Sequence, residues 1–539
     1  MYKLHLTESF FPAIRDGLYE EISIGDLLRK QAKAYGDAPA IKELTFEGDI
    51  GRVWSFKELL ADSERLGRAL ASRHAQGSRI AVFAPNVPEW FLLEMASGLA
   101  GVTLVTVNPA YQARELKYVL EQSRAEAIYY VESFRGNPIR EIADLVCRDI
   151  PAIRHRILLT DQGAMHAGAD RGELPTVSAH DVCQIQYTSG TTGFSKGALL
   201  HHHGLIQNSR STLERGGTKA GDSFVHAMPM FHCSGCAILA LGGLGVGATQ
   251  LLAPMFDPVM IAKVIERERP VMMFGVPTMI VAMIDEVEKS GRDVSSIKRI
   301  QSGGSMVAPE LVRKAEAVFG SMIQIVYGQT ESSPVITFAW SDDSIEDLTE
   351  TIGQPLPHMD VAILDPKTNK VLPIGEQGEI CTRGYHVMTG YNDNPEATAK
   401  AIDRNGWLHT GDLGRMDARG YLKITGRVKE MIIRGGENLF PAEIENAMLE
   451  HPAIGEVAVV GVPHEKWGEE VACFMRARGP ARPSPADLKA FIRERLSPQK
   501  TPAYWIWVDA WPLTGSGKIQ KFKLAEGFAK GEFVPSKGG

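Results

Sequence analysis

Residues 79–130 constrain the fold more than any other stretch. Residues 79–84 (RIAVFA), 102–107 (VTLVTV) and 127–130 (AIYY) read as short buried strands. Between them, 87–98 reads as a helix starting behind Pro88, and 110–121 as a second helix. Strands alternating with helices at this spacing predict parallel βαβ units, because a parallel neighbour is reached only through a long crossover. The rhythm returns with strands at 223–228, 248–252 and 271–274, helices at 260–267 and 277–287, and a strand end at 325–327. Near the start, 24–28 opens a helix, and Ser55 with Glu58 three residues on signals a capping box. Residues 161–174, rich in Gly and Ala and without period, read as a surface connection. Residues 353–424 are more β-rich, split by turn signals at 375–378 and 417–420. Beyond Lys429 a compact tail offers helices at 441–450 and 484–496 and strands at 457–460 and 472–475.

The expectation is an α/β chain. A large N-terminal region of layered sheets and helices with a β-rich subdomain spans 1–428, and a small mobile α+β domain spans 429–539. At 539 residues the chain is too long for one core. A net charge of −7 gives no electrostatic reason to expect nucleic acid, which favours basic stripes. Six cysteines make no disulfide framework and suit a reducing, cytoplasmic setting. Cys233 and Cys236 have no second ligand pair at zinc spacing. His201-His202-His203 is read as the partly exposed first turns of a helix. Residues 1–8 lack the basic start and apolar core of a signal peptide. The apolar stretches 236–248 and 271–284 carry glycines or Pro277 and are too short to cross a membrane.

The strand-like run 182–187 leads into Thr188-Ser189-Gly190-Thr191-Thr192-Gly193-Phe194-Ser195-Lys196-Gly197. Its glycines let backbone N–H groups approach an anion, while four hydroxyls and the Lys196 ammonium add donors suited to phosphate oxygens. The spacing is not that of a Walker P-loop, since Gly193 and Lys196 are two residues apart and Gly follows the lysine. Further on, Tyr327-Gly328-Gln329-Thr330-Glu331 closes a strand at the end where open α/β sheets bind ligands. Its tyrosine can stack on a purine, Gly328 lets a base near the backbone, and Glu331 offers a hard oxygen to Mg²⁺.

These stretches, with Ser302-Gly303-Gly304-Ser305, His409-Thr410-Gly411-Asp412, residues 426–433, Arg434-Gly435-Gly436-Glu437-Asn438 and Pro512–Ile519, occur in the order found in the adenylate-forming superfamily. The chain resembles that family's acyl-CoA synthetases along nearly its whole length. The resemblance implies ATP, Mg²⁺ and coenzyme A as cosubstrates, a carboxylic acid as substrate, and an acyl-adenylate between two half-reactions. It implies that Thr188, Ser189, Gly190, Thr191, Thr192, Gly193 and Lys196 hold the β- and γ-phosphates, and that Tyr327 packs on adenine. Gly304 and Ser305 then read the base edge, with Gly328 and Gln329 beside the nucleotide. Thr330 contacts the α-phosphate, Glu331 holds Mg²⁺, and Asp412 and Arg427 take the ribose. Lys429 is the pivot between domains, and the Gly435, Gly436 and Asn438 loop passes pantetheine. Lys518 bridges carboxylate and α-phosphate during adenylation.

For the acid, the resemblance places His232 at the thiol gate. The acyl wall is read as Cys233, Cys236, Val276, Met279 and Ile280, with Gly303, Gln329, Ser333 and Pro334 near the carboxyl end. This wall is apolar, and it lacks the aspartate with which peptide-synthetase domains grip an amino-acid ammonium. The stretches 384–391, 431–441 and 512–521 are most similar to the medium-chain fatty acyl-CoA synthetase branch. An aromatic, branched or alicyclic acid, or a carrier-protein thiol as acceptor, stays open. Partners are small molecules, with neither nucleic acid nor a membrane span, and a homodimer is admitted.

Overall fold

The computed structural model describes residues 1–188, 195–303, 307, 309–434, 437–513 and 519–537. Among them four sheets form. A seven-stranded sheet runs Gly390–Tyr391, Lys196–His201, Val182–Thr188, Thr103–Val107, Arg79–Phe83, Ala127–Tyr130, His155–Leu158. Its strands from Val182–Thr188 through to His155–Leu158 are parallel, and Lys196–His201 turns back antiparallel on Val182–Thr188. The strands at 79, 103 and 127 lie where their apolar runs predicted. All five residues of Thr103–Val107 are buried, as a strand covered on both faces requires.

A nine-stranded sheet carries Met272–Phe274, Arg299–Gly303 and Ile323–Gly328 as successive parallel strands, with Val335–Phe338 antiparallel beyond them. A five-stranded antiparallel sheet holds Gly378–Gly384, Leu408–Met416 and Leu422–Arg427, which accounts for the β-rich character of 353–424. The fourth sheet, six-stranded, collects Ile432–Arg434, Glu437–Leu439, Ile454–His464, Gly468–Ala477, Tyr504–Trp507 and Ser536–Lys537.

Helix Phe56–Arg73 begins with the expected capping box: Ser55 Oγ accepts from the Glu58 N–H at 3.2 Å, and Glu58 Oε2 accepts from the Ser55 N–H at 2.9 Å. The segment 161–174 is not irregular throughout. Asp161 caps a short helix, Gln162–His166, accepting from the Ala164 N–H at 2.9 Å, and Arg73 donates to the Ala164 and Met165 carbonyls.

The histidine run departs from expectation more clearly. Helix His202–Arg215 is buried through its first three turns, and His202 and His203 are each 1% exposed. Every imidazole is used. His201 caps the helix, accepting from the Gly204 N–H at 3.0 Å, and His202 Nδ1 accepts from the Ile24 N–H at 3.2 Å. His203 lies 3.0 Å from both the Glu20 carbonyl and the Tyr19 hydroxyl. Burial pushes His201 and His202 down to about 4, so both stay neutral. Polar residues fill this buried helix because each finds a fixed partner, as Asn208 does with the Val335 N–H and carbonyl.

Ser55→Ala removes one side of the capping box and should destabilise the unit carrying it by about 1 kcal/mol, read as a lower urea midpoint at unchanged slope.

Candidate active site

Three sheets meet at the residues singled out by sequence. Tyr327 sits near the end of Ile323–Gly328, Asp412 within Leu408–Met416, and Arg427 at the end of Leu422–Arg427, paired with Asp412 in register. The Tyr327 hydroxyl donates to Asp412 Oδ2 at 2.8 Å, and Arg427 Nε donates to Oδ1 at 2.7 Å. Asp412 and Tyr327 are buried while the Arg427 side chain stays half exposed. Burial, then the Asp412 charge, raises the Tyr327 phenol well above its ordinary range, so it remains a donor. The Asp412 charge in turn raises Arg427. Each carboxylate oxygen keeps a second lone pair, so the group can still accept from hydroxyls of a ligand.

The turn before Asp412 has its own support. Gly411 takes φ +74°, and its N–H donates to Glu379 Oε1 at 2.9 Å. Glu379 Oε2 lies 2.7 Å from His409 Nδ1, and the Asp412 N–H donates to Thr410 Oγ1 at 3.1 Å. Glu379 raises His409 above its ordinary value, with Asp403 at 3.9 Å adding to it. Glu379, Cys381 and His409 could by spacing hold a metal ion. Their polar atoms are already engaged with one another and with the turn, a sufficient account of the cluster.

At the turn after Tyr327, the Gln329 N–H donates to the Pro334 carbonyl at 2.9 Å and Ser333 closes the turn at φ +63°. A Cβ on Gly328 would lie 1.9 Å from that Pro334 carbonyl. Close packing of the turn on itself thus already demands glycine here, while Gly328 itself stays exposed. Gly303 is likewise required by the Val326 carbonyl, 2.3 Å from where a Cβ would sit. Glu331 is held through its carbonyl, which accepts from the Met388 N–H at 2.9 Å, and through Oε1, which accepts from the Tyr391 hydroxyl at 2.7 Å. Lys196 Nζ lies over the Tyr391 ring at 4.9 Å.

His232 follows the turn that Asn86 clamps by donating to the Met228 carbonyl at 2.9 Å and accepting from the Met230 N–H at 2.8 Å. Its Nδ1 is 3.3 Å from Cys233 Sγ, which lies 3.8 Å from Thr330 Oγ1. The predicted gate and the Thr330-Glu331 turn are therefore neighbours. Cys236 sits on the π-helix Ser234–Leu241, and its thiol donates to Gln184 Oε1 at 3.4 Å. Gln184 donates to Glu94 Oε1 at 2.6 Å. Cys236, read as part of an apolar wall, thus joins a buried polar chain, and burial pushes the Glu94 carboxyl well above the usual carboxylate range. Val276 precedes helix Pro277–Ser290, and Met279 and Ile280 line a cavity of about 10 Å³ with Met273, Phe274, Gly275 and Met283.

Ser189, Gly190, Thr191, Thr192, Gly193, Gly304, Ser305, Gly435, Gly436 and Lys518 lie outside the described residues, as do the side chains of Lys429 and Asn438. Their flanks are described. Thr188 pairs with Lys196 across the cradle, and Leu513 bridges Ile519 across the segment ending in Lys518. Tyr391, Glu379 and His409 were not found as supporting residues. Their signal is a partner distant in sequence, which only the fold supplies.

The family described as AMP-binding enzyme matches residues 28–392, and the AMP-binding enzyme C-terminal domain matches 443–518. The chain belongs to the AMP-binding enzyme family. It is 37% identical over 533 residues to the protein YngI of Bacillus subtilis strain 168, covering 94% of this chain and 96% of that one. It is 34% identical over 511 residues to the human mitochondrial medium-chain acyl-CoA ligase ACSF2, covering 88% of this chain and 82% of that protein. The ATP-bound crystal structure of MatB from Rhodopseudomonas palustris superposes with a TM-score of 0.83 at 29% identity, over 94% of this chain and 99% of that one. The family member described here is an AMP-forming acyl-CoA ligase that uses ATP, Mg²⁺ and coenzyme A. No helix among the described residues is long and apolar enough to cross a membrane.

Because His409 is raised by Glu379, its contribution is complete below the ordinary histidine value of about 6.5 and fades as pH rises through the raised folded value. The stability difference between wild type and His409→Gln should therefore shrink toward alkaline pH, checked by unfolding midpoints across the range.

Proposed function

We propose that this enzyme activates a medium-chain fatty acid to its coenzyme A thioester. The observation that carries the reading is the apolar lining around Met279 and Ile280, with Met273, Phe274 and Met283, where no lining residue carries a charge to satisfy an ammonium or a second carboxylate. The medium-chain specificity of the human relative supports it. The cavity is only about 10 Å³, about one water, so a chain enters by displacing methionines, whose unbranched side chains repack readily.

In the first half-reaction a carboxylate oxygen attacks the α-phosphorus of ATP, and the bond to pyrophosphate breaks. Residues 188–196 hold the leaving pyrophosphate, with the ammonium of Lys196 countering its charge. Asp412 and Arg427 fix the ribose, Tyr327 the adenine, and Gly304 and Ser305 the base edge. Thr330 and Lys518 stabilise charge developing at the α-phosphate, where preorganised donors act most strongly. Mg²⁺, when bound, supplies charge neutralisation between phosphates. Glu331 fits that ion, having a carboxylate oxygen that accepts no hydrogen bond among the described residues. In the second half-reaction the thiol sulfur attacks the acyl carbonyl and AMP leaves. The unit 429–539 turns about Lys429 on 1–428, Lys518 withdraws, and the Gly435, Gly436 and Asn438 loop admits pantetheine past His232. The six cysteines, all free and buried, suit a reducing cytosol.

Lys518→Ala should lower acyl-adenylate formation by on the order of 10²–10³ while thioester formation from supplied adenylate largely survives. Equal loss in both steps would refute the two-pose scheme. Pyrophosphate release across short, medium, long and aromatic acids, with and without coenzyme A, tests the acid. A preference for a ring acid, or turnover indifferent to coenzyme A, would overturn the medium-chain thioester reading.

A further inference from the structure

The two-residue strand Gly390–Tyr391 pairs antiparallel with Lys196–His201, Tyr391 opposite Ala198 and Gly390 opposite Leu199. This register brings Tyr391 beside the lysine that starts the facing strand. Lys196 Nζ then sits over the face of the ring, 4.9 Å from its centroid, while the hydroxyl at the ring's edge donates to Glu331 Oε1 at 2.7 Å. One side chain therefore touches both the cation and the carboxylate assigned to the triphosphate. Among the described residues Lys196 and Glu331 form no ion pair with each other, and each instead meets Tyr391. A direct pair would neutralise both groups and oppose ligand binding. The tyrosine instead satisfies each through a different part of itself, the ammonium through the negative ring face and the carboxylate through the O–H dipole.

The backbone that presents Tyr391 is fixed from several directions. The Tyr391 N–H donates to Thr398 Oγ1 at 2.9 Å, and that hydroxyl donates to the Asn394 carbonyl at 2.9 Å. The Thr389 N–H donates to the Leu199 carbonyl at 2.9 Å, the Asn392 N–H to the Gly197 carbonyl at 2.7 Å, and the Met388 N–H to the Glu331 carbonyl at 2.9 Å. The segment is thus bonded both to the lysine strand and to the glutamate turn. Burial, and then the Glu331 charge, raise the Tyr391 phenol far above its ordinary range, which keeps it a donor.

We propose that Tyr391 is a positioning residue that locks Lys196 and Glu331 into one unit, so that Glu331 turns its second oxygen toward Mg²⁺ while Lys196 faces the phosphates of the same nucleotide. The proposal rests on the nucleotide-site reading above and adds the residue that couples its two charged members. Its ring and its hydroxyl have separable effects. The hydroxyl acts on the metal-dependent part of binding, and the ring acts on the part that needs no metal.

Calorimetric binding of ATP with Mg²⁺, and of ATP in chelator, separates them. Tyr391→Phe keeps the ring and should leave metal-free ATP binding within about twofold of wild type while weakening MgATP roughly tenfold, the size of one charge-assisted hydrogen bond. The same variant should need more Mg²⁺ for half-maximal turnover at an unchanged KM for the acid. Tyr391→Leu should weaken both forms of the nucleotide. The near-isosteric phenylalanine variant carries the test if the leucine variant misfolds, and its unfolding midpoint serves as the check. Wild-type MgATP affinity in Tyr391→Phe, or equal weakening with and without metal, would overturn the proposal alone. A wild-type protein that binds neither form would overturn the nucleotide site itself.

Discussion

The buried carboxylate of Asp412 is where the large sheets are tied together. It lies in the five-stranded sheet, takes the hydroxyl of Tyr327 from the nine-stranded sheet, and takes Arg427 from its own neighbouring strand. A carboxylate removed from water is tolerated only when its oxygens are satisfied, and here a phenol and a guanidinium do so. Because Arg427 is half exposed, its Coulombic contribution is screened, and the penalty for leaving Asp412 unpaired exceeds what the pair itself contributes. The same three groups are the ones proposed to hold the nucleoside, so that proposal and the fold draw on one hydrogen-bonded cluster.

A second cluster reaches the seven-stranded sheet. Lys196 lies at the start of Lys196–His201, and Tyr391 links it to Glu331 on the turn that follows Ile323–Gly328. The cavity residues start two strands away from Ile323–Gly328, where Gly275 donates to the Gln301 carbonyl at 3.1 Å. The residues proposed for the triphosphate, ribose and acyl groups thus lie at strand ends, the place where open parallel sheets leave a crevice. Of the residues proposed for the acyl wall, Met279 and Ile280 line an apolar cavity, whereas Cys236 starts a buried polar run through Gln184 to Glu94. That run ties the π-helix Ser234–Leu241 to the strand Val182–Thr188.

Much of this was legible in the residues. The strands at 79–84, 102–107 and 127–130 are runs of apolar residues between helical stretches, and such runs pair as parallel strands because nothing else covers both faces. The Ser55–Glu58 box was readable because both partners are local. The helix Gln162–His166 was not, since five residues give too little pattern to show a period. The histidine run misled for a related reason. Three polar side chains in a row suggest solvent, and only the fold supplies Ile24, Glu20 and Tyr19 as the partners that let them be buried.

The sequence by itself determined the order of the elements and the chemistry available at each turn, because glycine, hydroxyl and charged residues at strand ends have few other uses. It also determined the family, whose signatures run from Thr188 to Lys518. The tertiary structure decided which of those groups meet. Tyr327 with Asp412, Tyr391 with both Lys196 and Glu331, and Gly328 with the Pro334 carbonyl are contacts between segments whose pairing no local propensity encodes. They are set by sheet register and by the packing of one sheet end against another.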